Sequence, residues 1–286
     1  MTQQADWDIV TDVGITALGV AAARAIESHR ANRLMSDPYA ELFIAAARPP
    51  MPMPTRPEQT TDDSPWSAMA DYLAVRSRYF DEFFAAAPTA QAVLLASGLD
   101  VRGYRLDWPD DAVVYELDVP KVLQFKQNVL GDHGVAARAA IRHVTVDLRD
   151  DWPTALLGAG FDQSAPTAWL AEGLLPFLPD DAVERLFGIV DRLSAPGSRF
   201  AIEHIDADIR QLAIEPPMAT MAEEFGLNVT DMWPGDKVFP PVRWLADHGW
   251  RVTSSPIGPV AEGYGRPLGP GAVGLRHTVL ITATKG

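Results

Sequence analysis

Residues 94–106 read LLASGLDVRGYRL, and residues 115–118 read YELD. An apolar run stops at three small residues, Ala96, Ser97 and Gly98. A second apolar run stops at an acid, Asp118, twenty positions after Gly98. This pattern suits a parallel α/β sheet that holds an adenosine. Small residues let a ligand approach the turn after the first strand, and a carboxylate on the next strand takes the ribose hydroxyls. The pair points to a nucleoside-bearing cofactor.

The rest of the chain continues the alternation. Strands are predicted at 91–96, 112–118, 141–147, 166–172, 198–204, 250–255 and 276–283. Helices are predicted at 120–130, 152–158, 180–194, 218–226 and 240–248. Short apolar runs separated by helices imply a mostly parallel sheet covered on both faces. No good helix separates the last two runs, and 256–275 is rich in glycine and proline, so the final strand is expected to return antiparallel. Before the alternation, 13–30 reads as an alanine-rich helix. SDPYA at 36–40 reads as a helix start, with Ser36 or Asp37 as cap and Pro38 in the first turn. Five prolines between positions 49 and 57, and another at 65, mark a surface loop. A long helix follows over 66–87, with a stripe at Met69, Leu73, Arg76, Phe80 and Phe83.

Composition narrows the classes. The length of 286 residues suits one large α/β domain with an elaboration, or two small domains. No apolar run approaches the roughly 18 residues needed to span a bilayer, and 1–10 lacks the basic and apolar regions of a signal peptide. There are no cysteines, so disulfides, thiolate metal sites and a cysteine nucleophile are excluded. These features fit a cytoplasmic protein. A net charge of −14 repels phosphate backbones, so nucleic acid is not expected as a partner. The six histidines show no metal-ligand spacing, and no metal site is expected.

Each site candidate has a plain structural alternative. The turn lacks GxGxxG, because the next glycine after Gly98 is Gly103. That spacing is wrong for a pyrophosphate but tolerable for a ligand without phosphates, such as S-adenosylmethionine. Asp118 is a ribose contact or a cap for a helix opened by Pro120. Asp147 ends the third strand and can accept from an adenine amino group, while Leu148 can cover the ring. Asp150 and Asp151 are better placed to cap the next helix, which leaves Asp147 free. Glu172 is an acid in the otherwise apolar segment 169–179, so it needs a partner, a cationic ligand or a solvent-lined cleft. Arg76 puts a charge on an apolar stripe. It would grip a cofactor carboxylate, a substrate carboxylate, or a protein acid such as Glu82 or Glu172. His204 is a weak candidate for a general base.

Several segments, in order, resemble one family. LLASGLDVRGYRLDW, YELDVPKVLQFK, VDLRDDW, PTAWLAEGLLPFLP and the late GYGRP (263–267) are similar to the leucine carboxyl methyltransferase-like group of S-adenosylmethionine-dependent methyltransferases, in its actinobacterial branch. VGITA, SDPYA and RSRYFDEFF extend the likeness over nearly the whole chain. The resemblance implies a class I methyltransferase fold: a Rossmann-like, seven-stranded, mostly parallel sheet with the last strand antiparallel. It implies a helical N-terminal lid over 1–88 on a cofactor-binding core over 89–286, forming one compact unit. It implies that Arg76 grips the cofactor carboxylate, that Ala96, Ser97 and Gly98 line its methionine part, and that Asp118 takes the ribose. Asp147 and Leu148 would bracket the adenine, and Glu172 would lie by the amino end. Two departures stand out. Many relatives have glycine where Ala96 stands, and many have a tyrosine near Phe177.

The expectation is therefore an S-adenosylmethionine-dependent O-methyltransferase acting on a carboxylate or hydroxyl of a small molecule. No general base stands out, and the oligomeric state is not legible. A non-catalytic protein that binds the same cofactor is the second reading. A nicotinamide-dependent oxidoreductase is weakened by the missing GxGxxG.

Overall fold

A computed structural model describes residues 12–86, 89–208, 212, 239–272 and 274–286. The helix expected at 218–226 lies outside these described residues. Among the described residues, three α-helices precede the sheet: α1 (Asp12–Ser28), α2 (Ala40–Ala47) and α3 (Pro65–Ala86). Then come β1 (Gln91–Leu95), α4 (Arg102–Arg105), β2 (Val113–Asp118), α5 (Pro120–Asp132), β3 (Ala140–Thr145), α6 (Trp152–Gly158) and β4 (Thr167–Ala171). The chain continues through α7 (Asp180–Arg192), β5 (Arg199–Ile205), α8 (Pro241–Asp247), β6 (Trp250–Pro256), α9 (Ile257–Gly263) and β7 (Thr278–Lys285).

The seven strands form one sheet in the order β3-β2-β1-β4-β5-β7-β6. Strands β1 to β5 pair in parallel. β7 inserts between β5 and β6 and runs antiparallel to both, as the sequence predicts for the final strand. The order reverses at β1, so the carboxyl ends of β1, β2 and β4 frame the crevice where such sheets take ligands.

Side-chain alternation splits the core into two layers. Val93, Leu95, Leu117, Trp169, Ala171, Phe200 and Ile202 face α6, α7 and α8. Ala92, Leu94, Val114, Ala168, Leu170 and Ala201 face α1, α3 and α9. β1 and β4 are buried along their whole length, which is why they read as unbroken apolar runs.

Two expectations need correction, and the proline-rich surface loop gains detail. α2 starts at Ala40, with Tyr39 as its cap residue and no side-chain cap. Asp37 instead pairs with Arg24 at 2.9 Å, since a buried carboxylate gains more from a guanidinium than from one N–H. A helix does separate β6 and β7: α9 has the sequence IGPVAEG, and burial of Ile257 and Ala261 holds it despite poor helix propensity. The proline-rich segment is anchored. Met53 is buried in the core cluster beneath α2, and the Gln59 side chain accepts from Thr55 N at 2.7 Å.

Candidate functional site

The turn after β1 carries unusual backbone. Ala96 has φ +51° and Gly98 has φ +50°, both in the left-handed region. An L-residue with a Cβ is strained there, so Ala96 holds a conformation that suits glycine. The turn is tied to β2. Ser97 N donates to Leu117 O at 2.9 Å, and Gly98 N donates to Oδ2 of Asp118 at 2.7 Å. Ser97 Oγ is buried with no hydrogen-bond partner.

Asp118 does not cap the following helix. α5 has Val119 at its cap position, with Pro120 opening the helix as predicted. The second oxygen of Asp118 accepts from Val119 N at 2.7 Å. Burial pushes the Asp118 carboxyl above its ordinary range, with the two backbone donors working against that shift. Asp147 is not free. Arg149 Nε donates to its Oδ1 at 2.9 Å, and Arg149 NH2 donates to its Oδ2 at 2.5 Å. Those bonds hold Asp147 below the usual carboxylate range. Asp151, as expected, accepts from Thr154 N at the start of α6. Leu148 is half-buried against the core layer below α6.

Arg76 lies on the buried face of α3, as its place on the stripe predicts. Its Nε is 2.8 Å from Oε1 of Glu172, and its NH1 donates to both oxygens of Glu203 at 3.0 Å. Of the protein acids weighed for Arg76, Glu172 is its neighbour. Glu82 is exposed and pairs with Arg78 and Tyr264. Glu172 also accepts from Arg102 at 2.7 Å. Burial would raise the Glu172 carboxyl, but Arg102 and Arg76 bring it below its ordinary value.

Sequence reasoning missed five charged members of this arrangement, Arg102, Asp81, Asp100, Arg105 and Glu203. Arg102 reaches Asp81 at 2.8 Å and also pairs with Asp100. Asp81 also binds Arg105 through two bonds, at 2.6 and 2.7 Å. Glu203 accepts from Gly173 N at 2.6 Å and from the Tyr72 hydroxyl. Burial and the Glu203 charge push the Tyr72 phenol far above its usual value, so it stays protonated and donates. Glu203 was visible by the signal that found Glu172, an acid in an apolar strand, here FAIEH. His204, its neighbour, points to the opposite face, and burial depresses its imidazole to about 4.

The structure therefore gathers Ala96, Ser97, Gly98, Asp118, Glu172 and Arg76 at the carboxyl ends of β1, β2 and β4 and on the facing helix. Asp147 and Leu148 sit just beyond β3. Among the described residues, no group of three His, Asp or Glu side chains could hold a metal ion. No described helix is long and apolar enough to cross a membrane.

Comparison with known proteins gives the family and the fold. The family model for leucine carboxyl methyltransferase matches residues 17–191. A Saccharopolyspora erythraea relative, named as an S-adenosyl-L-methionine-dependent methyltransferase, is 50% identical over 271 residues, covering 94% of this chain and 93% of the relative. A Mycobacteroides abscessus relative of the same name is 46% identical over 286 residues, covering 93% of this chain and 91% of the relative. A crystal structure named for a methyltransferase of Thermobifida fusca YX superposes with a TM-score of 0.53 at 18% identity, over 94% of each chain, a likeness of fold. Because the family match spans more than half of the chain, and relatives near half identical cover nearly all of it, the chain belongs to the leucine carboxyl methyltransferase family.

Proposed function

We propose that this S-adenosylmethionine-dependent methyltransferase transfers the methyl group to an oxygen, a carboxylate or a hydroxyl, of a small molecule. The observation that carries the reading is the meeting of Arg76 and Glu172 beside the left-handed turn at Ala96–Gly98. A guanidinium and a carboxylate side by side suit an amino-acid zwitterion. The buried, unpartnered Ser97 hydroxyl suits a ligand that supplies its hydrogen bond. The turn has no phosphate geometry, which fits a cofactor without phosphates.

In this reading Arg76 holds the cofactor carboxylate and Glu172 lies by its ammonium. Ala96, Ser97 and Gly98 line the methionine part, Asp118 takes the ribose, and Asp147 and Leu148 bracket the adenine. The bound cofactor supplies an electrophilic methyl group on a sulfonium. The chain supplies positioning, which is worth several orders of magnitude when the reacting atoms are held in line. A hydroxyl acceptor needs a base near its working pH. His204 is depressed to about 4 and is a weak base. A carboxylate acceptor needs none, so the carboxylate is the favoured nucleophile. The N-terminal helices and the 49–65 loop would close over the acceptor.

The test is incubation with methyl-labelled S-adenosylmethionine and a panel of small acids and phenols. Label released as methanol by mild base marks a methyl ester. Label found only on nitrogen or sulfur would sink the oxygen reading. Asp118→Ala should weaken S-adenosylhomocysteine binding about ten-fold or more in calorimetry. Unchanged affinity would remove Asp118 from the ribose site.

A further inference from the structure

Glu203 lies buried in β5, and both of its oxygens are engaged. Oε2 accepts from Gly173 N at 2.6 Å and from Arg76 NH1 at 3.0 Å. Oε1 accepts from Arg76 NH1 at 3.0 Å and from the Tyr72 hydroxyl. Tyr72 and Arg76 are four positions apart on α3, so one helix face presents both donors. The Tyr72 oxygen also lies 3.1 Å from Oγ1 of Thr278 on β7. Gly173 directly follows Glu172, with a φ of +63° that glycine adopts without strain. Glu203 thus grips the Arg76 side chain and, through Gly173 N, the backbone beside Glu172. One carboxylate sets the separation of the guanidinium and the second acid. The two acids hold Arg76 differently. Glu203 takes hydrogen bonds from NH1. Oε1 of Glu172 is 2.8 Å from Nε, yet Nε has no hydrogen-bond partner, so that contact is an ion pair off the line of the N–H. Oε2 of Glu172 is held by Arg102 at 2.7 Å. Among the described residues, Arg76 NH2 and Glu172 Oε1 make no hydrogen bond.

We infer that Glu203 is the positioning residue for the amino-acid end of the cofactor: it fixes Arg76 through NH1 and Glu172 through Gly173 N, so that Arg76 NH2 meets the carboxylate and Glu172 Oε1 the ammonium. The inference rests on the cofactor reading above. Glu203 does not touch the ligand in this arrangement and acts through the two residues that do. Tyr72 is its anchor. Burial and the Glu203 charge keep the Tyr72 phenol protonated, so it donates to Glu203 and holds the carboxylate under α3. A guanidinium and a carboxylate set at a fixed separation lose less freedom on binding than two side chains that the ligand must order. Because the amino-acid end is a zwitterion, the charge of Glu203 acts oppositely on its two groups, and the geometry decides the net effect.

Calorimetry on the full-length protein tests this with S-adenosylhomocysteine and methylthioadenosine, which carries the same adenosine and no amino-acid end. The native protein should bind S-adenosylhomocysteine about ten-fold tighter or more. Glu203→Gln keeps the side-chain shape and removes one acceptor oxygen. It should weaken S-adenosylhomocysteine about ten-fold and leave methylthioadenosine within about two-fold. Tyr72→Phe keeps every charge and removes the anchor, and it should weaken S-adenosylhomocysteine about three-fold, again without moving methylthioadenosine. A purely structural role moves both ligands together and leaves their ratio unchanged. An unchanged ratio in folded Glu203→Gln would overturn the inference. So would tighter S-adenosylhomocysteine binding, which would make Glu203 a competitor for Arg76. If Glu203→Gln does not fold, the ratio in Tyr72→Phe decides in the same way. Equal affinity of the native protein for the two ligands would also overturn the inference, because the amino-acid end would then be unheld. Failure of both ligands to bind the native protein would overturn the cofactor reading instead.

Discussion

Ala96 is the residue where local sequence and backbone geometry disagree. Its φ of +51° places a Cβ where the left-handed region favours glycine. The cost is on the order of 1 kcal/mol, and it persists because neighbouring bonds fix the turn: Ser97 N to Leu117 O, and Gly98 N to Asp118. Ala96→Gly should therefore raise stability, offset in part by the greater freedom of glycine in the unfolded chain. The expected rise is a few tenths to about 1 kcal/mol, or roughly 2 °C in the thermal midpoint. A lower midpoint would show that the turn is not strained. Sequence reading singled out Ala96 as the residue standing where many relatives have glycine. It could not supply the sign of φ, which depends on how β1 and β2 pair.

At the scale of elements, the late GYGRP segment acts as a clasp. Arg266 NH1 donates to Glu27 on α1 at 2.8 Å and to Asp71 on α3 at 3.1 Å. Its NH2 donates to Asn32 O at 2.8 Å. The Tyr264 hydroxyl donates to Glu82 on α3 at 2.6 Å. One short loop thus fastens two helices that lie about two hundred residues earlier in the chain. Arg266→Met would leave the buried Glu27 with Arg30 as its remaining cation. The expected loss is about 2–4 kcal/mol, given the usual cost of breaking a buried pair. Amide exchange should rise first in α1, while β1 and β4 stay protected. Uniform loss of protection would refute the clasp. The helices themselves were legible, because α3, α5 and α6 carry clear stripes and proline starts. α9 was not, because glycine and proline hide a helix that tertiary burial stabilises.

For the whole molecule, acid is the expected weakness. His204 has a folded value of about 4 against an ordinary value near 6.5, so the unfolded chain binds its proton first. This stability is fully present above the unfolded value and is lost as pH falls from about 6.5 toward 4. Glu172 and Asp100 have folded values below their ordinary ones, so their contribution is lost further down, as pH falls through the folded values. Urea unfolding at pH 7 and pH 5 should differ by on the order of 1 kcal/mol, and His204→Phe should flatten that first limb. A variant with the same pH dependence as the native protein would assign the limb elsewhere.

By itself, the sequence determined the alternating strands and helices, the antiparallel return of the last strand, and the acids at the strand ends. Those features are local, set by periodicity and by where an apolar run stops. Only the tertiary structure decided which charge meets which. Arg76 takes Glu172 and Glu203, the latter 127 positions away, while Glu82, six positions away, goes to Arg78 and Tyr264. The physical reason is burial. Strand order brings β4 and β5 together beneath α3, and a guanidinium removed from water must pair with whatever carboxylates that packing places beside it.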